Sequence, residues 1–316
     1  MVQLIPVQSS VQFFEALQEI ISANFPVVLE HVAQLVLLLV NKIQTVVAEC
    51  IQDEGKKKKK TIFIIKSWNI LRFISAHKAL PNEKLLEIEQ TLLPVFEYIR
   101  SPKDIEFDDD ILLFEVSLMR KCQTVTQAGW TLFSQLKLVQ EKYEGTFLQL
   151  FPILNCYLYY GKDMFASQPE YLKSVADMCG KCIFAVFKSK VNEAANSEGA
   201  LIYQQILHTF PKAVDALLES IFSFTLMRLM SQVSHNFFRV RLLGVILSGF
   251  AYDACKTVGI LSSSATPENE SYLVFALRLI FQSAHLFTHT YDRKGAALGL
   301  LHLLICLLYT SDAADE

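Results

Sequence analysis

Glycine and proline are scarce, at 11 and 9 among 316 residues. Together they fall to roughly half the combined usage of about 12% in ordinary proteins. Few glycines leave few positions for a left-handed backbone, which excludes a fold rich in tight hairpins and any phosphate-cradling glycine loop. Charge is thin as well, at 19% of residues with a net charge of −3, so no global field draws the chain to nucleic acid. Also missing are GxSxG, P-loop, GxGxxG and HExxH patterns, and with them the common local signatures of hydrolases, nucleotide binders and zinc proteases. Seven cysteines are scattered at 50, 122, 156, 179, 182, 255 and 306. An odd, dispersed set fits reduced thiols better than a disulfide framework.

Apolar side chain is what the chain has in excess. Hydrophobic residues make up 52% and the mean hydropathy is +0.31, so there is ample surface to offset the entropy of ordering. No basic leader precedes an apolar segment at the N-terminus. Two apolar stretches that could be mistaken for membrane spans, Val32–Val40 and Ala296–Tyr309, fall short of the roughly 20 residues a bilayer core requires. They read as buried helices, and no membrane span is expected.

Apolar residues recur at helical spacing almost throughout. Ile111, Phe114, Leu118 and Cys122 form one stripe, and Leu172, Val175, Cys179, Ile183 and Val186 another. Breaks such as Leu80-Pro81-Asn82, Gln168-Pro169 and Ser262–Asn269 recur at intervals. The expected helices are 10–22, 26–51, 61–76, 82–100, 104–122, 126–142, 144–160, 169–190, 198–209, 213–232, 236–260, 270–289 and 292–309. No segment shows sustained alternation between turn dipeptides, so no strand is assigned. Helices of this length with short links predict an all-α fold of antiparallel hairpins. A hairpin every 40–47 residues or so is the period of HEAT repeats, giving a solenoid fragment over 1–309 with six to seven hairpins. The polar, acidic residues 310–316 break from the apolar helix before them and read as a non-native or disordered tail.

Several constellations could carry chemistry. Cys179-Gly180-Lys181-Cys182 is a CxxC, but it lies inside an apolar helical stripe, where cysteine behaves as a small hydrophobe. His285, His289 and Asp292 would share one face of a continuous helix at metal-ligand spacing. No HExxH glutamate joins them and the helix is expected to end near Thr290, so the bland reading is a polar helix end. No catalytic, cofactor-binding or metal residue is assigned, and no cofactor. Two charge clusters stand out. Lys56, Lys57, Lys58, Lys59 and Lys60 follow Asp53-Glu54-Gly55 as a candidate basic loop: a solvated interhelical link, or a localisation or anion-binding segment. Asp104, Glu106, Asp108, Asp109 and Asp110 sit at an expected helix start, where carboxylates favour the dipole. They could also form an acidic patch contacting a basic partner. Aromatics interleaved with basic residues, as a nucleic-acid platform requires, are missing.

The order of certain segments resembles a family. Asp109-Asp110-Ile111 through Cys122, then Thr124–Trp130, Tyr171-Leu172 and Met178-Cys179, Phe237–Asp253 with Arg239, Arg241 and Leu242, and Asp292-Arg293-Lys294 leading into Gly299-Leu300 are similar to the karyopherin-β proteins. The closer likeness is to the C-terminal half of nuclear import receptors of the importin-seven and importin-eight type. The exportin for importin-α is a neighbouring family. The resemblance implies a HEAT solenoid without enzymatic activity that carries protein cargo through nuclear pores. It implies nucleoporins and the GTPase Ran as partners, Ran through repeats N-terminal to the matched region, and shuttling between cytoplasm and nucleus. One departure is the lysine run at 56–60, where such importins carry an acidic loop. A general HEAT scaffold for protein assembly is the rival class.

Overall fold

The computed structural model describes residues 10–52, 57–96, 108–142, 150–184, 193–231 and 233–312. It is all-α: 86% is helical and no strand occurs among the described residues, the nearest approach being one isolated bridge between Ala265 and Ser271. The chain divides into two compact units, Met1–Lys142 and Tyr143–Glu316.

The first unit holds α1 (Ser10–Val28), α2 (Val32–Gln52), α3 (Lys57–Ala76), α4 (Asn82–Phe96), α5 (Asp108–Cys122), α6 (Gln127–Phe133) and α7 (Leu136–Lys142). Helices pack on their second neighbours as well as their first: α1 on α3, α3 on α5, α2 on α4 and α4 on α6. Trp68 on α3 meets Phe114 on α5 with ring centroids 5.8 Å apart, and the Lys121 ammonium at the end of α5 donates to the His77 carbonyl just past α3. Both residue numbers rise together, so α3 and α5 run parallel. Trp68 and Phe114 are 0% exposed and form the centre of this core.

The second unit holds α8 (Leu150–Tyr160), α9 (Lys162–Ser167), α10 (Pro169–Phe184), α11 (Glu193–Thr209), α12 (Leu218–Met230), α13 (Asn236–Ser262), α14 (Tyr272–Gln282) and α15 (Thr290–Asp312). The buried Tyr203 hydroxyl donates to Ala176 O at 2.8 Å, and the Cys182 thiol faces Ala195 O. These two contacts make α10 and α11 antiparallel. Gln204 lies against Gly244 and His208 against Ser248, so α11 and α13 are parallel. Second-neighbour packing recurs as α10 on α12, α11 on α13 and α13 on α15, and α8 packs on α11 across α10 and the short α9.

Several boundaries differ from the sequence reading, each for a local reason. The lysine run is helical from Lys57 onward, not a loop. Lysine is a good helix former, and the stripe Ile64, Trp68 and Leu71, buried at 1% or less, anchors a helix that propagates back over it. Residues 126–142 form two helices because the chain tightens at Ser134, whose N–H reaches Leu132 O and Trp130 O. The long α13 is kinked at Asp253 (φ −158°, ψ 99°), where the Asp253 carboxylate accepts from the Lys256 N–H at 3.0 Å and so caps the helix that restarts. α13 is also long and apolar enough by composition to cross a membrane, with half of that window buried inside the protein. α15 continues to Asp312, past the expected end at 309, and residues 313–316 lie outside the described ones. Among the described residues, Gln123 (56°), Lys212 (70°) and Asn269 (63°) take positive φ without being glycine. A glycine-poor chain thus places asparagine and flexible polar residues where its links need a left-handed step.

Candidate functional site

The second unit contains a cleft of about 410 Å³ between α11, α13 and the segment that opens α15. Its residues come from helical spacing. Gln204 and His208 are one turn apart on α11, and Val240, Gly244 and Ser248 follow at four-residue steps on the facing side of α13. Phe287, Tyr291, Asp292, Lys294 and Leu298 close the third side.

Glycine decides the shape at one point. A Cβ on Gly244 would stand 2.6 Å from the Gln204 amide, so only glycine lets that side chain lie flat against α13 and donate to Arg241 O at 2.8 Å.

The floor is polar and buried, since Gln204 and Ser248 are each 5% exposed. The Ser248 hydroxyl and His208 Nε2 are 3.1 Å apart. Desolvation of the imidazole against the cleft wall holds the His208 pKa below the ordinary histidine value, which favours the neutral ring that such a contact needs. Asp292 lines the same cleft, but its carboxylate makes no hydrogen bond to His208 among the described residues. Ser248 sits mid-helix, with its own backbone N–H committed to α13. Three residue types of a hydrolytic triad therefore share a cleft without a triad's connections. Apolar walls with a few convergent polar groups suit reversible binding of a ligand or a partner's side chain. The first unit has a hollow of about 370 Å³ lined by Phe14, Glu15, Gln18, Lys66 and Arg72, where Lys66 approaches Glu15 at 3.9 Å.

The residues singled out in the sequence fall elsewhere. Asp108–Asp110 open the described part of α5, whereas Asp104, Glu106 and Lys56 lie outside the described residues. His285 is in a short 3-10 turn over Ala284–Leu286, and His289 precedes α15, which takes Asp292 in its first turn. The continuous helix face that would have aligned them is broken, and no metal-holding cluster of three such residues occurs among the described ones.

The CxxC lies within α10, with Cys179 0% and Cys182 3% exposed. Burial pushes both thiols well above their ordinary pKa, which leaves little thiolate to react. Alkylation of the native chain by iodoacetamide should therefore modify the exposed Cys255 first, with Cys179 and Cys182 slower by roughly two orders of magnitude. Peptide mass mapping over time would show this, and equal rates would refute the buried assignment.

The His208–Ser248 pair escaped the sequence reading because it joins positions 40 residues apart. The local trace was a pair of polar residues at one-turn spacing, Gln204 and His208, on a helix that carries several other polar residues.

The class these residues define is an all-α protein with a helix-lined cleft. No protein-family model matches the chain, and no curated protein or solved structure matches it.

Proposed function

We propose that the chain is a segment of a nuclear transport receptor of the karyopherin-β kind, a HEAT-type solenoid that grips protein cargo without reaction chemistry. What supports the solenoid is the neighbour pattern within each unit. Helices separated by one other helix pack side by side and run parallel, as α3 with α5 and α11 with α13 do. This is how stacked helix hairpins bury faces that no hairpin can bury alone. What supports the family is the set of short matches given above. One of them, Asp292-Arg293-Lys294, falls in the first turn of α15, with Asp292 and Lys294 on the rim of the cleft. Cargo, nucleoporins and Ran are the partners this reading assigns, Ran through repeats outside the matched region, with shuttling between cytoplasm and nucleus.

The test is binding of the full chain to immobilised phenylalanine-glycine nucleoporin repeats and to a lysine-rich cargo peptide. Retention on the repeats is expected, with cargo affinity that falls as salt rises. Reversing Asp108, Asp109 and Asp110 to lysine should weaken the cargo peptide about tenfold or more. Failure to bind the repeats leaves a general HEAT scaffold as the better reading. Unchanged cargo affinity in the charge-reversed chain removes the acidic patch from the account.

A further inference from the structure

Two glutamates lie in the core of the first unit, Glu89 on α4 and Glu115 on α5, each 0% exposed. Both meet the start of α6. The Thr126 hydroxyl donates to Glu89 Oε1 and accepts the Gly129 N–H at 2.9 Å. Gly129 packs so closely on the other carboxyl that a Cβ there would stand 2.7 Å from Glu115 Oε1. The remaining oxygens, Glu89 Oε2 and both of Glu115, are buried and accept nothing.

No cation answers them. On α2 and α3, which pack against α4 and α5, the described charged groups are Lys42, Lys66 and Arg72, of which Lys66 approaches Glu15. On α4, Lys84 is engaged with Glu87 at 2.7 Å, and Glu83 is a further negative charge. On α5, Lys121 gives its ammonium to the His77 carbonyl and Arg120 is exposed. α6 carries no charge. Among the described residues no ion pair reaches either glutamate. Two ionised carboxylates in this setting would each bear an uncompensated desolvation cost and would repel one another.

We propose that Glu89 and Glu115 form an internal proton-binding site that holds one proton between them at neutral pH and fastens the start of α6 to α4 and α5. With Glu115 neutral, its O–H supplies a donor among carboxyl oxygens that otherwise accept nothing. Burial, and for Glu115 also the charge of Glu89, raises both carboxyls above their ordinary range, in accord with a pair that titrates as a unit. A pKa raised on folding gives stability that is complete below the unfolded carboxyl value of about 4.3 and is lost as pH rises through the folded value. The first unit should therefore loosen toward alkaline pH, the reverse of ordinary acid denaturation.

The chain has two tryptophans, Trp68 beside Phe114 and Trp130 next to Gly129, and both belong to this unit. Tryptophan emission during thermal unfolding therefore reads the site itself. In the full chain, the midpoint should fall by roughly 4–8 °C between about pH 5 and pH 9. Glu115→Gln should remove most of that fall, and Glu89→Gln should reduce it. An infrared carbonyl band of a protonated carboxyl should be present in the wild-type protein at neutral pH, which decides the matter even where a variant fails to fold. A pH slope identical in wild type and Glu115→Gln, or no such band, would overturn the proposal. So would stabilisation by magnesium or calcium ions that Glu115→Gln abolishes, since that would make the ligand a metal ion and not a proton.

Discussion

Replacing Glu193 by alanine is expected to remove about 3–5 kcal/mol from the second unit, the range for breaking a buried ion pair. The Glu193 carboxylate opens α11 and is 8% exposed. Its Oε1 receives Arg228 Nη2 at 2.9 Å, and its oxygens also accept the backbone N–H groups of Ser234 and His235 at 2.7–3.1 Å. His235 is the N-cap of α13 and gives that helix no side-chain cap. A glutamate from another helix therefore satisfies donors at the start of α13, and its negative charge interacts favourably with the positive end of that helix dipole. Arg228, on α12, also lies over the Phe238 ring at 5.3 Å. One carboxylate thus joins the start of α11, the end of α12 and the start of α13. Alanine leaves a guanidinium and two N–H groups without their acceptor, whereas Glu193→Gln keeps the shape and should cost less. Urea unfolding followed by circular dichroism measures both. A loss under about 1 kcal/mol for alanine would show the contact to be no stronger than a surface pair.

Glu193 also marks where sequence reading stops. The all-α class and most helix positions were legible because apolar spacing is local: each stripe is written within one helix. Proline was a poorer guide, since Pro26, read as the start of a helix, lies inside α1. Boundaries failed where a buried stripe or a local side-chain cap overrode what composition suggested. Lys57–Lys60 looked like a solvated link, and the buried stripe behind them made a helix. Asp253 looked like one more residue of a long helix, and the structure uses it to restart one. The functional groups were less legible still. Glu89 stands within the apolar stripe Leu85, Ile88 and Leu92, and only the fold reveals that Glu115, 26 positions on, sits in the same core. His208 and Ser248 meet in the cleft floor across 40 positions. The charge runs that catch the eye lie at helix starts instead, outside this cleft and this buried pair. Composition exposes clusters that are close in sequence, while sites are assembled from residues one or two helices apart.

The parallel packing of α13 and α15 yields the other large expected effect. A Cβ on Gly299 would fall 2.3 Å from Leu247 O and within 2.9–3.0 Å of the same residue's carbonyl carbon and Cα. These are main-chain atoms of α13, held in turn against α11, and Leu247 is 1% exposed. They cannot rotate aside as a side-chain tip would. Gly299→Ala should therefore force the two helices apart and cost about 1–3 kcal/mol, as overpacking of a filled core does, and Gly299→Val should cost more. Gly295 supplies the control one turn earlier on the same helix, where a Cβ would meet nothing within 4 Å. Gly295→Ala should stabilise the chain by roughly 0.5–1 kcal/mol through helix propensity alone. Opposite signs for the same substitution, four residues apart, assign the effect to close helix contact and not to propensity. If Gly299→Ala proves as benign as Gly295→Ala by thermal unfolding, α15 does not pack on α13 this closely, and the cleft that the start of α15 closes loses its third wall.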